Sequence, residues 1–290
     1  MHVELICDSM SANGIRLTTF VITGIPSYML LELLPIRELS VTRWTNHSGR
    51  TTLSSVVGKP AIPDFGASTP FGVKNLNTRW TEARTGAVEQ ANRMLLAPEP
   101  ASSSDIDRLL FAHSTSSVVV TSSKWLTAID QINEGSKAFG TIGAKIQTLL
   151  ATNKPNKLEE GAWHLPFVDK DDLEATMRQV SYFFGIEFLS TPEAASACLG
   201  LLIKSSVSRC ASCTPILKDR DAQLEFDMRP FLEGDAPKVF AGLPRTAFDH
   251  QAVADTIDED KNVWRNPNLH GNLPGWCQYR EVFKWEMWKN

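Results

Sequence analysis

The sequence predicts an α+β fold, and three features of its patterning lead to this prediction. Residues Leu17–Ile22 are rich in β-branched and aromatic types, which favour a strand. Asp171–Phe184 begins with acidic residues and is followed by Gly185, which is typical of a helix. Strands and helices are interspersed without regular β-α-β alternation, so we expect a mixed or antiparallel sheet with flanking helices.

The remaining elements follow from the spacing of apolar residues, with a period of two in strands and 3.6 in helices. The other predicted strands are His2–Cys7 and Val118–Thr121. The other predicted helices are Pro26–Leu34, Thr81–Leu96, Pro192–Ser205, Lys218–Met228 and Cys277–Trp288, with helical pieces in Trp125–Leu150 broken at Gly135, Gly140 and Gly143. The polar stretch Arg37–Arg50 predicts a loop. No Pro/Ser-rich linker divides the chain, so residues 1–290 are expected to form a single domain.

Composition and net charge indicate which kinds of binding partner are expected. The chain has 290 residues, of which 42% are hydrophobic and 21% charged, which is ordinary for a globular protein with a full core. Its net charge is −4, whereas a surface that binds duplex nucleic acid usually needs a basic face. A single nucleotide needs only two or three well-placed arginines, which the net charge does not reveal.

Cysteine usage and hydropathy predict a soluble cytoplasmic protein. The five cysteines are odd in number and irregularly spaced, which argues against a disulfide framework. Cys210 and Cys213 form one CxxC, but no second close pair completes a zinc site, so buried or spectator thiols and no metal are expected. Met1–Ser11 is too short and polar for a signal peptide, and no apolar run has the length of a membrane span.

Four groups of short segments resemble a known family when they are taken together and in order. They are residues 14–20 (GIRLTTF) with 32–40 (ELLPIRELS); 107–110 (DRLL) with 118–121 (VVVT) and Trp125; 162–166 (AWHLP) with 206–211 (SVSRCA); and 248–252 (FDHQA) with 275–280 (GWCQYR). The set resembles a divergent, phage-type member of the flavin-dependent thymidylate synthase family. The order looks circularly permuted relative to the standard enzymes, since Asp249-His250 lies near the end of the chain.

The family signature, RHRxxSxNxxSxR, is altered in this chain. Arg37 matches its last basic residue and Ser40 the serine three positions further on, whereas Thr42 stands in place of the asparagine. Ile36 and Pro35 replace the histidine and the first arginine. The closing SxR is similar to Ser48-Gly49-Arg50, which comes about three residues late.

The resemblance implies chemistry at carbon 5 of a pyrimidine ring. The expected substrate is deoxyuridine monophosphate or a related pyrimidine deoxynucleotide monophosphate. Reduced FAD is the hydride source, methylene-tetrahydrofolate the carbon donor and NADPH a further co-substrate, so the cofactors carry the difficult chemistry and the protein supplies placement. In phage-type relatives the product is thymidylate or another C5-substituted nucleotide destined for modified DNA.

The resemblance also implies the site residues. Nucleotide binding is expected of Ser48, Gly49, Arg50 and Arg108, and cofactor binding of Arg37, Ser40, Thr42, His250 and Arg280, while no catalytic residue is assigned. A phosphate prefers planar bidentate donors together with hydroxyl and backbone N–H groups, and Ser48-Gly49-Arg50 offers one of each. Each motif alone is more often plain structure: a surface turn at residues 48–50, a solvated Arg108, a hydrogen-bonded His250, and a core-packing His164.

Three classes of function remain open. The first is an active flavoenzyme that acts on C5 of a pyrimidine nucleotide, which the retained Ser48–Arg50 and Arg108 favour. The second is a non-catalytic paralogue that binds nucleotide or flavin and pairs with an active relative, which the replaced signature residues favour. The third is an unrelated soluble nucleotide-binding protein. Flavin colour of the purified protein separates these classes.

A symmetric homo-oligomer, a tetramer, is expected. The family builds each active site from several subunits, and the chain has eight tryptophans, a residue type enriched at interfaces. Light scattering of the full chain should therefore give a mass about four times that of the 32.1 kDa subunit. A monomer at micromolar concentration contradicts this prediction.

Overall fold

The computed structural model describes residues 1–44, 73–135, 137–211, 217–232, 243–258 and 260–283. These residues form an α+β structure around one larger sheet, which confirms the predicted fold class. The predicted strands at residues 2–7, 17–22 and 118–121 are confirmed as parts of three strands of this sheet.

The central sheet has five strands in the order β3-β4-β2-β1-β5. Their bounds are β1 His2–Met10, β2 Arg16–Pro26, β3 Ser40–Trp44, β4 Thr115–Ser122 and β5 Asn156–Lys157. All neighbours pair antiparallel except β1 and β5, which pair parallel, so the sheet is mixed. A register shift between Leu5 and Cys7 marks an irregularity in β1.

One face of this sheet, the first face, is covered by helices. The helices are α1 (Leu30–Leu33), α4 (Trp125–Glu134) and α5 (Lys137–Thr152). Phe20 and Val120 of the strands pack with Ile129, Ile132 and Ile142 of the helices in one buried cluster. Burial of such side chains contributes about 1.5–3 kcal/mol each, so this layer is a main source of stability.

The opposite face, the second face, is covered by a different set of elements. They are α7 (Pro192–Ala211), a short 3₁₀ turn (Arg245–Asp249) and a small sheet in the order β10-β7-β6, with bounds Trp276–Gln278, Ala252–Ala254 and Trp163–His164. Val21 and Val119 pack against Val207 and Phe248, and Leu17 packs against Trp276. The sheet is thus buried on both sides.

The remaining described elements flank this arrangement. They are α2 (Val73–Leu95), α3 (Ser103–Leu110), α6 (Lys170–Phe184), α8 (Arg220–Leu232) and the hairpin of β8 (Ile257–Asp258) and β9 (Val263–Trp264), with further 3₁₀ turns at Ser27–Met29, Phe111–His113, Ile186–Ser190 and Pro267–Leu269. Helix α6 begins in a capping box formed by Asp169 and Asp172, and Gly185 follows it at φ 88°.

Three expectations about elements were wrong. The predicted loop Arg37–Arg50 contains β3, because Val41 and Thr42 pair with β4 along its free edge. Gly140 and Gly143 do not break α5, since the burial of Phe139, Ile142 and Ile146 offsets the cost of glycine in a helix. The predicted helix from Cys277 starts as strand β10, and residues 279–283 are helical.

A buried ion network joins three of the helices. The Arg209 guanidinium of α7 donates to both carboxylate oxygens of Asp172 on α6, at 2.7 and 2.8 Å, and to Asp227 on α8 at 2.8 Å. All three side chains are at most 4% exposed. Arg209 is the close counter-charge of both buried carboxylates, and Arg220 Nη1 lies 3.8 Å from Asp172 Oδ1.

Replacing Arg209 by methionine is expected to lower the free energy of unfolding by about 3–5 kcal/mol, because it leaves buried Asp227 without its ion-pair partner and Asp172 with only Arg220 at 3.8 Å. Urea titration followed by circular dichroism measures the loss. The matched control is Arg178→Met, which removes an exposed pair with Asp221 at 3.2 Å and should cost at most about 1 kcal/mol. Equal small losses in both variants would contradict the prediction.

Candidate functional site

A row of polar side chains crosses the otherwise apolar second face of the sheet. Thr19 of β2 lies opposite Thr121 of β4 and opposite Cys7 of β1, and Thr121 also lies opposite Ser40 of β3. Residues at alternate positions share a face, so these hydroxyl and thiol groups lie between apolar side chains such as Leu17 and Val21. The row connects four adjacent strands.

Two histidines from outside the sheet complete the row. The His250 ring lies 2.8 Å through Nε2 from Thr42 Oγ1 and 2.8 Å through Nδ1 from Thr121 Oγ1. Thr121 and Thr19 are joined at 2.6 Å between their hydroxyl oxygens. The His164 ring lies 2.8 Å through Nε2 from Thr19 Oγ1 and 2.8 Å through Nδ1 from Ser9 Oγ. We call this set the hydroxyl–imidazole chain; it runs in the order Ser9, His164, Thr19, Thr121, His250, Thr42.

Both imidazoles of the hydroxyl–imidazole chain are neutral at pH 7. Each ring is fully buried, and burial lowers the pKa of His164 and of His250 to about 3. A charge on His164 would also disfavour a charge on His250. Neither ring is therefore placed to exchange a proton with a molecule in solvent.

Further hydrogen bonds connect the C-terminal part of the protein to the edge strand β3. The Gln278 amide nitrogen lies 2.9 Å from the Asp249 carbonyl oxygen, 2.8 Å from Asn272 Oδ1 and 3.2 Å from Ser40 Oγ. Gly271 has φ +54°, and a Cβ atom there would overlap the Gln278 side-chain oxygen, so only glycine fits this position. Arg280 donates to the Asp249 carboxylate at 2.8 Å.

The structure brings together four of the predicted cofactor-binding residues. Thr42 is hydrogen-bonded to His250. Ser40 lies opposite Thr121 in the strand register, and the Thr121 hydroxyl is hydrogen-bonded to His250. Arg280 donates to Asp249, the residue before His250. Ser40, Thr42 and His250 are at most 3% exposed, whereas Arg280 retains 32% exposure of its side chain. Ser40, Thr42 and His250 therefore form hydrogen bonds inside the protein and are not exposed to solvent in this structure.

The other predicted site residues lie elsewhere. Arg37 is exposed on the segment before β3. Arg108 on α3 is 78% exposed and pairs with Asp105 of its own helix at 3.3 Å. Ser48, Gly49 and Arg50 lie outside the described residues.

Sequence reasoning missed several members of the site. Thr19, Thr121 and Gln278 were not singled out, and His164 was expected only to pack in the core. Its burial is confirmed, but both of its ring nitrogens are hydrogen-bonded. The available signal was the occurrence of threonine among valines and leucines on strands that are buried on both faces, since threonine in such a position needs a partner.

A second buried polar cluster lies beside the small sheet. Ligand atoms of Asp255, His270 and Cys277 lie within 4.8 Å of one another. His270 Nε2 lies 2.8 Å from Asp255 Oδ2, while its Nδ1 accepts the Gly275 N–H at 3.2 Å, so the neutral ring carries its proton on Nε2. Burial and the Asp255 carboxylate raise the pKa of Cys277 to about 12. Asp255 thus accepts from both His270 and Cys277 in an internal hydrogen-bonded cluster.

Two cavities among the described residues differ in character. One of about 470 Å³ lies between α4 and α5 and is mainly apolar, with Trp125, Leu126 and Ile129 on one side. Arg16 lines it, but its charge is matched by Asp8 at 2.6 Å. The other, of about 660 Å³, is lined by Glu160, Asp258, Asp260 and the single cation Arg265. Neither cavity offers the excess positive charge that a phosphate requires.

Comparisons of the chain with models of protein families, with curated proteins and with solved structures found no match. In the described part of the chain, no helix combines the length and the apolar character needed to span a membrane.

The free energy of unfolding is expected to fall as the pH is lowered from 6.5 to 5. Between the unfolded pKa of 6.5 and the folded pKa of about 3, the unfolded chain binds protons that buried His164 and His250 do not. Stability is therefore complete above pH 6.5 and is lost as the pH drops through this window. Each ring contributes a slope of up to about 1.4 kcal/mol per pH unit.

Urea titrations at several pH values measure this slope, and His250→Gln should reduce it by one ring's share. The lowered pKa of His113 acts in the same direction, so the difference between wild type and variant is the decisive quantity. Ring C–H chemical shifts of His164 and His250 provide a second measure and should not titrate down to pH 5. Titration of either ring near pH 6.5 in the folded protein would refute the prediction.

Proposed function

We propose that this protein is a flavin-dependent thymidylate synthase-like enzyme that binds a pyrimidine deoxynucleotide monophosphate and modifies C5 of its ring. The carbon comes from methylene-tetrahydrofolate, and FAD, reduced by NADPH, supplies hydride when it is bound. The chain's own residues bind and orient the nucleotide, and no side chain forms a covalent bond to it.

The observation that supports the proposal is the convergence of the four segment groups. Thr19 and Ser40 belong to the first, Thr121 to the second, His164 to the third, and His250 and Gln278 to the fourth. Thr19, Thr121, His164 and His250 form one hydrogen-bonded set, in which Thr121 and His250 are separated by 129 positions. Gln278 donates to Ser40 and to the carbonyl of Asp249, the residue before His250. The proposal takes this meeting of the four segment groups as its structural support.

In this proposal, exposed arginines bind the charged and polar groups of the nucleotide. The Arg108 guanidinium is exposed, and its pair with Asp105 is long and surface-screened, so it is free to turn towards a phosphate or a pyrimidine carbonyl. Arg37 is also exposed. The proposal assigns the second phosphate contact to Arg50, with Ser48 and Gly49 beside it.

A second candidate is a non-catalytic paralogue that keeps the fold and a nucleotide or flavin site. One observation favours it: the matched residues Ser40 and His250, and Thr42 at the position of the signature asparagine, are all buried. Ser40 is hydrogen-bonded to Asn272, and Thr42 to His250. In this structure they stabilise the interior, and cofactor contact would fall to the exposed arginines.

Two measurements separate the candidates. Visible absorbance of the purified protein reports bound flavin, and substitution at C5 must expel the hydrogen carried there, so label from C5-tritiated dUMP should enter water when FAD, NADPH and methylene-tetrahydrofolate are present. Binding of flavin and dUMP without tritium release selects the paralogue. Failure to bind flavin or any pyrimidine nucleotide overturns both candidates.

Arg50→Ala and Arg108→Ala should each weaken dUMP binding about ten- to a hundredfold, the effect of losing about 1.5–3 kcal/mol in a hydrogen bond to a charged group. Lysine at either position should restore binding only in part, because it keeps the charge but loses the bidentate geometry. Calorimetry with dUMP and dCMP provides the measurement. Arg178→Ala is the control, since Arg178 is an exposed arginine that pairs with Asp221. Wild-type affinity in both alanine variants would show that the residue assignment is wrong.

A further inference from the structure

Each group in the hydroxyl–imidazole chain has one proton, so the donor in one hydrogen bond determines the donor in the next. Each threonine hydroxyl carries one proton, and each neutral imidazole carries one on either Nδ1 or Nε2. Thr121 and Thr19, at 2.6 Å, must share a bond in which one donates and the other accepts. That choice propagates in both directions.

If Thr121 donates to Thr19, it has no proton left for His250, so His250 must donate from Nδ1. Thr19 then gives its own proton to His164 Nε2, and His164 must carry its proton on Nδ1. If Thr19 donates to Thr121, the same reasoning places both ring protons on Nε2. The two histidines therefore share one tautomer in either case.

Cys7 selects between the two directions. Its sulfur lies 3.4 Å from His164 Nδ1 and 3.9 Å from Ser9 Oγ. Burial raises the pKa of the Cys7 thiol to about 11, so the thiol keeps its proton and needs an acceptor. With the ring proton on Nε2, the single lone pair of Nδ1 accepts from the Ser9 hydroxyl at 2.8 Å, and Ser9 Oγ accepts from Cys7. With the ring proton on Nδ1, the ring donates to Ser9 Oγ, and one of the two protons of Ser9 and Cys7 has no acceptor within this group of three residues.

We propose that His164 and His250 are coupled positioning residues, both neutral with the proton on Nε2, and that Cys7 and Ser9 set this state from three strands away. Thr42 then accepts from His250, and its own hydroxyl proton is the one proton for which the hydroxyl–imidazole chain holds no acceptor. The arrangement fixes Thr42 on the edge strand as a donor directed away from the chain. This coupling does not depend on the identity of any ligand.

Long-range ¹H–¹⁵N correlation spectra of the ¹⁵N-labelled full chain distinguish the two neutral tautomers and the cation for each ring. Both rings should show the Nε2–H pattern at pH 7. Different tautomers in the two rings, or a cationic ring, would overturn the coupling. Both protons on Nδ1 would overturn the direction assigned to Cys7.

Thr42→Val tests the coupling over distance with a nearly isosteric change. It removes the acceptor of the His250 Nε2–H, and a buried N–H without an acceptor is disfavoured more than an unused ring nitrogen. Both rings should therefore convert from mainly Nε2–H to mainly Nδ1–H, although His164 makes no contact with Thr42 in the hydroxyl–imidazole chain. A change in His250 alone would overturn the proposal.

Thr18→Val is the matched control. Thr18 is a buried threonine of the same sheet, but its hydroxyl donates to Asp8 at 2.9 Å and lies outside the hydroxyl–imidazole chain. Both rings should keep their wild-type tautomer in this variant. Conversion of the rings in Thr18→Val would attribute the effect to general loosening of the sheet and overturn the coupling.

Discussion

Hydrogen bonding of polar groups within an apolar layer is the constraint on which the rest of this structure depends. A buried hydroxyl or imidazole without a hydrogen-bond partner lowers the free energy of unfolding by about 1–3 kcal/mol. This is a large fraction of the net stability of a domain, which is about 5–15 kcal/mol. Here six such groups from five elements and one turn satisfy one another. Displacement of any one element would leave polar atoms unpaired in its neighbours.

This constraint specifies the register of the sheet more tightly than apolar packing alone. A slip of one residue in β2 would turn Thr19 towards the helices on the first face and place Thr18 among the valines of the second. The irregularity between Leu5 and Cys7 also serves the polar row, because it shifts the register of β1 by one residue and places Cys7 opposite Thr19. Strands β2 and β4 also present valine, leucine and isoleucine on both faces, so apolar content alone distinguishes the two faces poorly.

The fold class and the strands β1, β2 and β4 were accessible from the sequence because they rest on local propensity. Helix α6 was accessible for a similar reason, since Asp171, Asp172 and Gly185 mark its ends in the sequence, whereas the capping role of Asp169 is seen only in the structure. Strand β3 was not, because its pairing with β4 is non-local and its residues also suit a polar loop. Thr19 and Thr121 illustrate the limit for the site: threonine is an ordinary strand residue, and nothing in the sequence shows that two of them face each other.

Of the predicted site residues, His250 shows what a family pattern contributes and what it omits. The pattern placed it with Thr42 in one site, and the two are in contact. It did not indicate that the ring is fully buried, because burial depends on how α7, the small sheet and the 3₁₀ turn close over the second face.

The position of these groups also constrains the chemistry that any site nearby can use. A neutral, enclosed imidazole with a pKa of about 3 cannot act as an acid or base towards a bound molecule near neutral pH. A reaction that proceeds by hydride transfer from a cofactor requires no such group, because the protein then has only to bind and orient the cofactor and the substrate. The interior polar network would then hold the sheet in shape, and exposed cations such as Arg37 and Arg108 would carry ligand recognition.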